Sequence, residues 1–196
     1  TPVKVPQGRG EPLLFCEDEA IRPDTTLERL AKLAPAFQKD GIVTAGNAPG
    51  ITDGAAATVV MALETAERLG ITPLAAITGY AQAGVKPLEI FTAPIYAVRK
   101  LMAITGATIH DYDLIEANEA FASQCLADGR ALGWDWDRVN VNGGAIALGH
   151  PIGCSGTRVL VTLLYALRDR GLKTGMATLC LGGGEAVAMS VELFGG

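Results

Sequence analysis

The stretch Met-Ala-Thr-Leu-Cys-Leu-Gly-Gly-Gly-Glu-Ala-Val-Ala-Met-Ser-Val-Glu-Leu (176–193) decides the fold. Met176 to Leu181 and Ala186 to Leu193 read as two strands. Gly182-Gly183-Gly184 between them is a hairpin turn or a tight approach to a ligand. Upstream, a glycine-rich segment from Asn142 to Gly156 leads into a helix from Thr157 to Arg170, stopped by Gly171. Further back, Leu114 to Ala117 is a short apolar strand. Asn118 then opens a helix that runs to Leu132 and stops at Gly133. Pro94 to Ile104 carries Ile95, Val98, Leu101 and Met102 on one helical stripe, with Gly106 as its stop. Leu74 to Ala81 is a strand, and Glu64 to Leu69 a short helix before Gly70. Ala55 to Leu63, with Thr58, Val59 and Val60, reads as a strand buried on both faces. Strands alternating with helices predict an α/β fold with helices on the faces of a mixed sheet.

Residues 1–50 differ from the rest, being rich in Pro, Gly and charge. Thr25-Thr26-Leu27-Glu28 offers a capping box with Thr25 facing Glu28, and the helix it opens ends at Pro35. This piece has too few large apolar residues to fold alone. The chain opens Thr-Pro-Val-Lys-Val-Pro without an initiator Met, and so reads as the middle of a longer polypeptide.

Composition narrows the function. Of 196 residues, 49% are hydrophobic and 19% charged, which excludes a disordered chain. The longest apolar run, Val159 to Leu167, is interrupted by Thr162 and is about half of a bilayer span. No secretory signal is expected. The net charge of −5 argues against a nucleic-acid partner. Four cysteines without a CxxC pair and only two histidines make a zinc site or a disulfide framework improbable. Reduced thiols in a cytoplasm are the default reading. The 24 glycines against 11 aromatic residues favour close backbone approach and room for a ligand.

Three polar residues stand where a strand meets a glycine-rich or helical turn, the place where α/β sheets bind ligands. These are Asn118 in Asn-Glu-Ala-Phe-Ala, His150 in Gly-Gly-Ala-Ile-Ala-Leu-Gly-His-Pro-Ile-Gly, and Cys180 before the triple glycine. Each has an ordinary alternative: a helix cap for Asn118, a loop residue for His150, an inert buried thiol for Cys180. Cys16, Cys125, Cys154 and His110 take the ordinary reading outright. Together, a thiol and an imidazole able to exchange protons, an Asn that orients a water and a glycine N–H form a kit for acyl chemistry with a carbanion step.

These three segments, in this order, closely resemble the thiolases, the acyl-CoA:acetyl-CoA C-acyltransferases. The segment from Asp40 to Ala57 resembles the family too. The resemblance implies a thiolase-like core half, a mixed five-stranded sheet with helices on both faces. Residues 1–50 would be the end of the loop domain and 51–196 the C-terminal core. It implies that Asn118 holds a water which, with His150 Nε2–H, stabilises a thioester enolate. His150 would also activate the acyl-accepting nucleophile. Cys180 would be the general acid/base, and the Gly182 N–H would help bind the acyl-enzyme oxyanion. Ala45, Ala48, Ala120 and Phe121 would line the pantetheine tunnel.

Pro49 stands where family members usually carry a Ser that contacts the pantetheine. Ala93 to Ala97 and Glu185-Ala186 also depart from the family pattern. No segment resembles the surroundings of the acylated Cys. The implied partner is therefore an N-terminal thiolase half carrying that nucleophile, in a heteromer or higher oligomer. The implied substrates are coenzyme A thioesters, with no permanently bound cofactor and no metal. A noncatalytic CoA-binding or assembly module is the alternative. A ketoacyl synthase fits less well, because those enzymes lack a base Cys before the triple glycine.

Overall fold

The structure, a computed structural model, describes residues 2–194. It begins with a small antiparallel pair, β1 (Val3–Val5) and β2 (Leu13–Phe15), with Val3 opposite Phe15. A single turn of helix follows, α1 (Leu27–Leu30). Its cap is Thr26, whose hydroxyl oxygen accepts the Arg29 N–H at 3.2 Å. The expected cap at Thr25 is displaced by one residue, because the Thr25 hydroxyl donates to the Arg22 carbonyl at 2.8 Å instead.

Residues 51–62 have no regular secondary structure, so the expected strand from Ala55 to Leu63 is not formed. Its apolar side chains face outward, with Val59 85% and Val60 70% exposed. The physical reason is that a strand is a property of a pair. Among the described residues no strand pairs with this segment, so its β-branched side chains have no sheet to join. Leu63 instead starts α2 (Leu63–Leu69), which ends at Gly70 in the left-handed conformation.

The main sheet has four strands: β3 (Ala75–Gly84), β4 (Leu114–Ala117), β5 (Thr174–Leu181) and β6 (Glu185–Leu193). Their spatial order is β3-β6-β5-β4. β6 runs antiparallel to both neighbours, and β4 and β5 are parallel. The turn between β5 and β6 is the triple glycine. The remaining strand of the expected five, Ala55 to Leu63, does not join it, and one parallel bridge, Ile115 with Val139, lies at the open edge of β4. Beyond the bridge, the Asn140 side chain takes over. Its amide accepts the Ala117 N–H at 2.8 Å and donates to the Ala117 carbonyl at 2.9 Å, supplying both bonds that a neighbouring backbone would make.

Helices cover the two faces. α3 (Ala93–Thr105) buries Ile95, Val98 and Leu101 against Ala81, Met176, Ala186 and Ala188. α4 (Ala122–Leu132) adds Cys125 and Leu132 to the same core. After the one-turn α5 (Ala145–Leu148), α6 (Ser155–Arg170) buries Val159, Leu163 and Leu167 against Leu114, Ala177 and Val191. Met176 and Ala177 thus serve opposite cores, as the two-residue period of a strand requires. Burying each such large side chain contributes roughly 1.5–3 kcal/mol. α4 starts at Ala122 rather than at Asn118, and Phe121 is the residue before its first turn. Asn118 is therefore free of the capping role.

Candidate active site

The carboxyl ends of β4 and β5 lie side by side, and the polar residues gather there. The Asn118 N–H donates to the Thr178 carbonyl at 2.9 Å, extending the β4–β5 ladder and fixing Asn118 close to the end of β5, where Cys180 lies. Asn118 is 2% exposed, and neither atom of its side-chain amide has a hydrogen-bond partner among the described residues. It lines a cavity of about 20 Å³ with Glu116, Gly144, Leu148 and Arg158. That is room for a single water with polar partners. Glu116 is also buried, and its carboxyl is pushed up to about 8, first by burial and then by the Glu119 charge.

Cys180 is half-buried on β5. Burial, and after it the negative charge of Asp128 on α4, push its thiol above the ordinary range. Cys180 is thus held mainly as the thiol, a proton donor that becomes a base only when a proton acceptor reaches it. Asp128 is fully buried, accepts a hydrogen bond from the Gln124 side chain and is itself pushed up to about 7 by that burial. Gly182 is exposed at the first position of the turn after β5, with open space where a side chain would be.

His150 sits in the loop between α5 and α6. Its N–H donates to the Gly50 carbonyl at 2.8 Å, and its Nδ1 lies 2.6 Å from the Ser155 hydroxyl at the start of α6. Burial, and after it the Arg158 charge, hold its imidazole below the ordinary range. Arg158 also donates to the Gly149 carbonyl at 2.7 Å, which fixes the loop just before the ring. Gly149 has φ +90, and a Cβ there would run into the Thr52 side chain. Only glycine lets residues 50–52 pass this close to His150.

The loop from Thr44 to Asn47 is closed by the Asn47 side chain, which accepts the Thr44 N–H at 2.8 Å and donates to the Ile42 carbonyl at 2.8 Å. The Asn47 carbonyl accepts the Ala122 N–H at 3.0 Å. Asn47, between Ala45 and Ala48 in the chain, is thereby tied to the residue after Phe121, whose ring meets Phe91 edge-to-face with centroids 5.1 Å apart. Pro49 is half-buried next to Gly50, and Ala120 is buried. The segment from Thr44 to Thr52 is therefore tied at one end to the Phe121 turn and at the other to His150. No hydrogen bond directly joins the side chains of Asn118, His150 and Cys180 among the described residues.

Three residues at this site were not singled out from the sequence. Glu119 lies inside the Asn-Glu-Ala-Phe-Ala motif, and Ser155 and Asp128 lie on helices without a local signal. Among the described residues no three His, Cys, Asp or Glu side chains group closely enough to hold a metal, and no helix is long and apolar enough to cross a membrane.

Comparison with known proteins matches this geometry to one family. Residues 71–193 match the family model described as "Thiolase, C-terminal domain", and residues 1–64 match "Thiolase, N-terminal domain". An acetyl-CoA acetyltransferase of Chromobacterium violaceum is 58% identical over 97% of this chain and 49% of its own length. One of Pseudomonas aeruginosa is also 58% identical over the same shares. The crystal structure of the Bacillus anthracis acetyl-CoA acetyltransferase superposes with a TM-score of 0.93 at 47% identity, covering 99% of this chain and 49% of that one. Human mitochondrial 3-ketoacyl-CoA thiolase in complex with CoA gives 0.89 at 41% identity, covering 98% of this chain and 48% of that one. The chain thus spans about half the length of the curated relatives it matches. With both family models matched and the sheet, turn and loop arranged as in these structures, the chain belongs to the thiolase family.

Proposed function

We propose that this chain is the C-terminal half of a thiolase, working with an N-terminal half that supplies the acylated Cys. The reaction is the reversible Claisen condensation of acetyl-CoA with acyl-CoA to give 3-ketoacyl-CoA and CoA. A thioester α-proton is weakly acidic, so the enolate oxygen needs aligned donors in a dry pocket. Asn118, through a water, and His150 Nε2–H are the donors for the enolate. Cys180 exchanges the α-proton. The Gly182 N–H stabilises the acyl-enzyme oxyanion, a donor worth ~10²–10³ in rate. Ala45, Ala48, Pro49, Ala120 and Phe121 flank the CoA arm.

The observation that carries this reading is the stitching of one segment to two sites. The Gly50 carbonyl accepts the His150 backbone N–H and the Asn47 carbonyl that of Ala122, so the small residues between them run from the Phe121 turn to the backbone of His150. The exposed apolar side chains of residues 51–62, which belong to the stretch matched by the N-terminal domain, support a missing half that covers them. The self-paired β1–β2 hairpin supports reading residues 1–50 as the end of the loop domain, with the core from 51 onward. Four free cysteines support a reducing, cytoplasmic setting.

The experiment is co-purification with an N-terminal thiolase half, native mass spectrometry and an acetoacetyl-CoA thiolysis assay. A heteromer with thiolysis activity is expected, and full activity of this chain alone overturns the two-chain reading. In an active complex, Cys180→Ala is expected to abolish turnover; survival within about tenfold removes Cys180 from the acid/base role. Pro49, which offers no hydroxyl and no N–H, favours a second reading, a noncatalytic CoA-binding module. A heteromer that binds CoA without thiolysis supports it.

A further inference from the structure

His150 is the one candidate group asked to act both as a base and as a hydrogen-bond donor through the same atom, Nε2. What Nε2 carries at rest is decided at the other side of the ring, where Nδ1 meets Ser155 at 2.6 Å. Ser155 is fully buried, and its oxygen also lies 3.0 Å from the Pro151 carbonyl. A hydroxyl has one proton and can give it to only one of these neighbours.

The two choices are unequal. If the Ser155 proton goes to Pro151, the Ser155 oxygen accepts Nδ1–H, and both contacts are hydrogen bonds. If it goes to Nδ1 instead, the contact to Pro151 is lost and no donor among the described residues reaches the Ser155 oxygen. The first arrangement makes one bond more around a fully buried hydroxyl. One net hydrogen bond corresponds to a bias of about 2- to 10-fold. The Pro151 carbonyl also accepts the Cys154 and Ser155 N–H groups, each at 2.8 Å, so the hydroxyl shares its two lone pairs with them. The positive Arg158 beside the loop works against a second proton on the ring.

We propose that Ser155 is a positioning residue that holds resting His150 as the neutral Nδ1–H tautomer, with a bare lone pair on Nε2 facing the site. On the thiolase reading given above, on which the consequence for catalysis rests, this orders the two roles of the ring. Nε2 first takes the proton of the attacking thiol, leaving a thiolate and an imidazolium. The thiolate adds to the thioester carbonyl, and the sulfur that departs carries the proton away from Nε2. While the ring holds that proton, Nε2–H is the donor to the thioester oxygen, so the donor is made by the preceding step rather than being present at rest.

The test is long-range ¹H–¹⁵N NMR of the imidazoles in this chain at neutral pH. There are only two histidines, and His110→Gln assigns them. The expected result is a protonated Nδ1 and a bare Nε2 on His150, the reverse of the preference of free histidine. A dominant Nε2–H tautomer overturns the proposal whatever the variants do. Ser155→Ala is expected to move His150 toward Nε2–H, and Ser155→Thr to keep the wild-type pattern. An unchanged tautomer in a folded Ser155→Ala protein also overturns it. If Ser155→Ala does not fold, Ser155→Cys, a far weaker acceptor of similar shape, gives the same comparison. The measurement needs no turnover, so an inactive heteromer would overturn the thiolase reading and leave this result standing.

Discussion

The Glu119 carboxylate accepts the Ile146 N–H at 3.0 Å with one oxygen and the Asn140 side-chain N–H at 3.1 Å with the other. It therefore braces the end of β4 against the first turn of α5, the element that leads to His150. The brace needs an absent side chain opposite it, because a Cβ at Gly144 would run into the Glu119 carboxylate. Glu119→Ala removes one acceptor from two donors. Its expected effect is a loss of about 1–3 kcal/mol, or roughly 3–10 °C in Tm for a domain of this size. Gly144→Ala should lower Tm in the same range through steric displacement of the same contact. Thermal unfolding followed by circular dichroism checks both. A Tm unchanged in Glu119→Ala would show that the brace does not hold the loop.

Asn140 combines two functions at one position. Its side chain substitutes for a fifth strand at Ala117, and its backbone has φ 48, a left-handed conformation that Asn tolerates better than most residues. Two variants separate these contributions. Asn140→Gly keeps the conformation and loses both amide bonds, with an expected cost of about 1–3 kcal/mol. Asn140→Ala loses the bonds and adds backbone strain, about 1–2 kcal/mol more. Urea unfolding of the three proteins reads both steps. Equal stability of the Gly and Ala variants would remove the strain component.

The helices of this fold are legible because their signals are local. Ile95, Val98 and Leu101 repeat at helical spacing, and each is buried where the stripe points. Glycines 70, 106, 133 and 171 stop their helices in the left-handed conformation, as their positions suggest. Val59 and Val60 look identical to buried strand residues, but their fate depends on a neighbour that the local pattern does not contain. Asn118 satisfies every local criterion for a helix cap, yet the backbone runs on to Phe121 before turning. Glu119 and Ser155 were passed over for a related reason. Their partners are a backbone N–H 27 positions away for the first and an imidazole across a proline turn for the second. Acceptors of that kind leave no periodicity. The motifs around Asn118, His150 and Cys180 were readable as a set, whereas the contacts that hold each one were not.

Buried carboxyl groups give the fold a pH dependence of definite sign. Asp128 is raised from 3.8 to about 7 by burial, and Glu116 from 4.5 to about 8. A group raised on folding binds its proton more tightly in the native state. Its stabilising contribution is complete below the unfolded value and is lost as pH rises through the folded one. Stability should therefore fall between about pH 4 and pH 8. His150, held low, acts in the opposite sense and lowers stability as the pH drops through the ordinary histidine range. Asp128→Asn isolates one carboxyl, since the amide has nearly the same shape and no charge. Near pH 4 its Tm should be close to that of the wild type. By pH 8 the variant should be the more stable by about 5–10 °C. A Tm difference that stays constant from pH 4 to pH 8 would mean that Asp128 is not ionising inside the fold.

The same substitution should be felt at Cys180. Burial is the larger cause of its raised thiol, and the Asp128 charge is the next. Removing that charge leaves burial in place, so the thiol of the Asp128→Asn variant should move down without reaching the ordinary cysteine value. Only the thiolate is alkylated, so the iodoacetamide rate at Cys180 should rise in the variant. The pH at which the difference appears is the sharper measurement. Below about 7 Asp128 is protonated in the wild type, the two proteins carry the same charge beside the thiol, and their rates should coincide. Above it the wild type becomes charged and should fall behind. Peptide mass spectrometry resolves the individual thiols, and exposed Cys16 serves as the reference in each sample. Rates that differ equally at pH 6 and pH 8.5 would point to a change in packing around β5, and would remove Asp128 as the electrostatic control on the thiol.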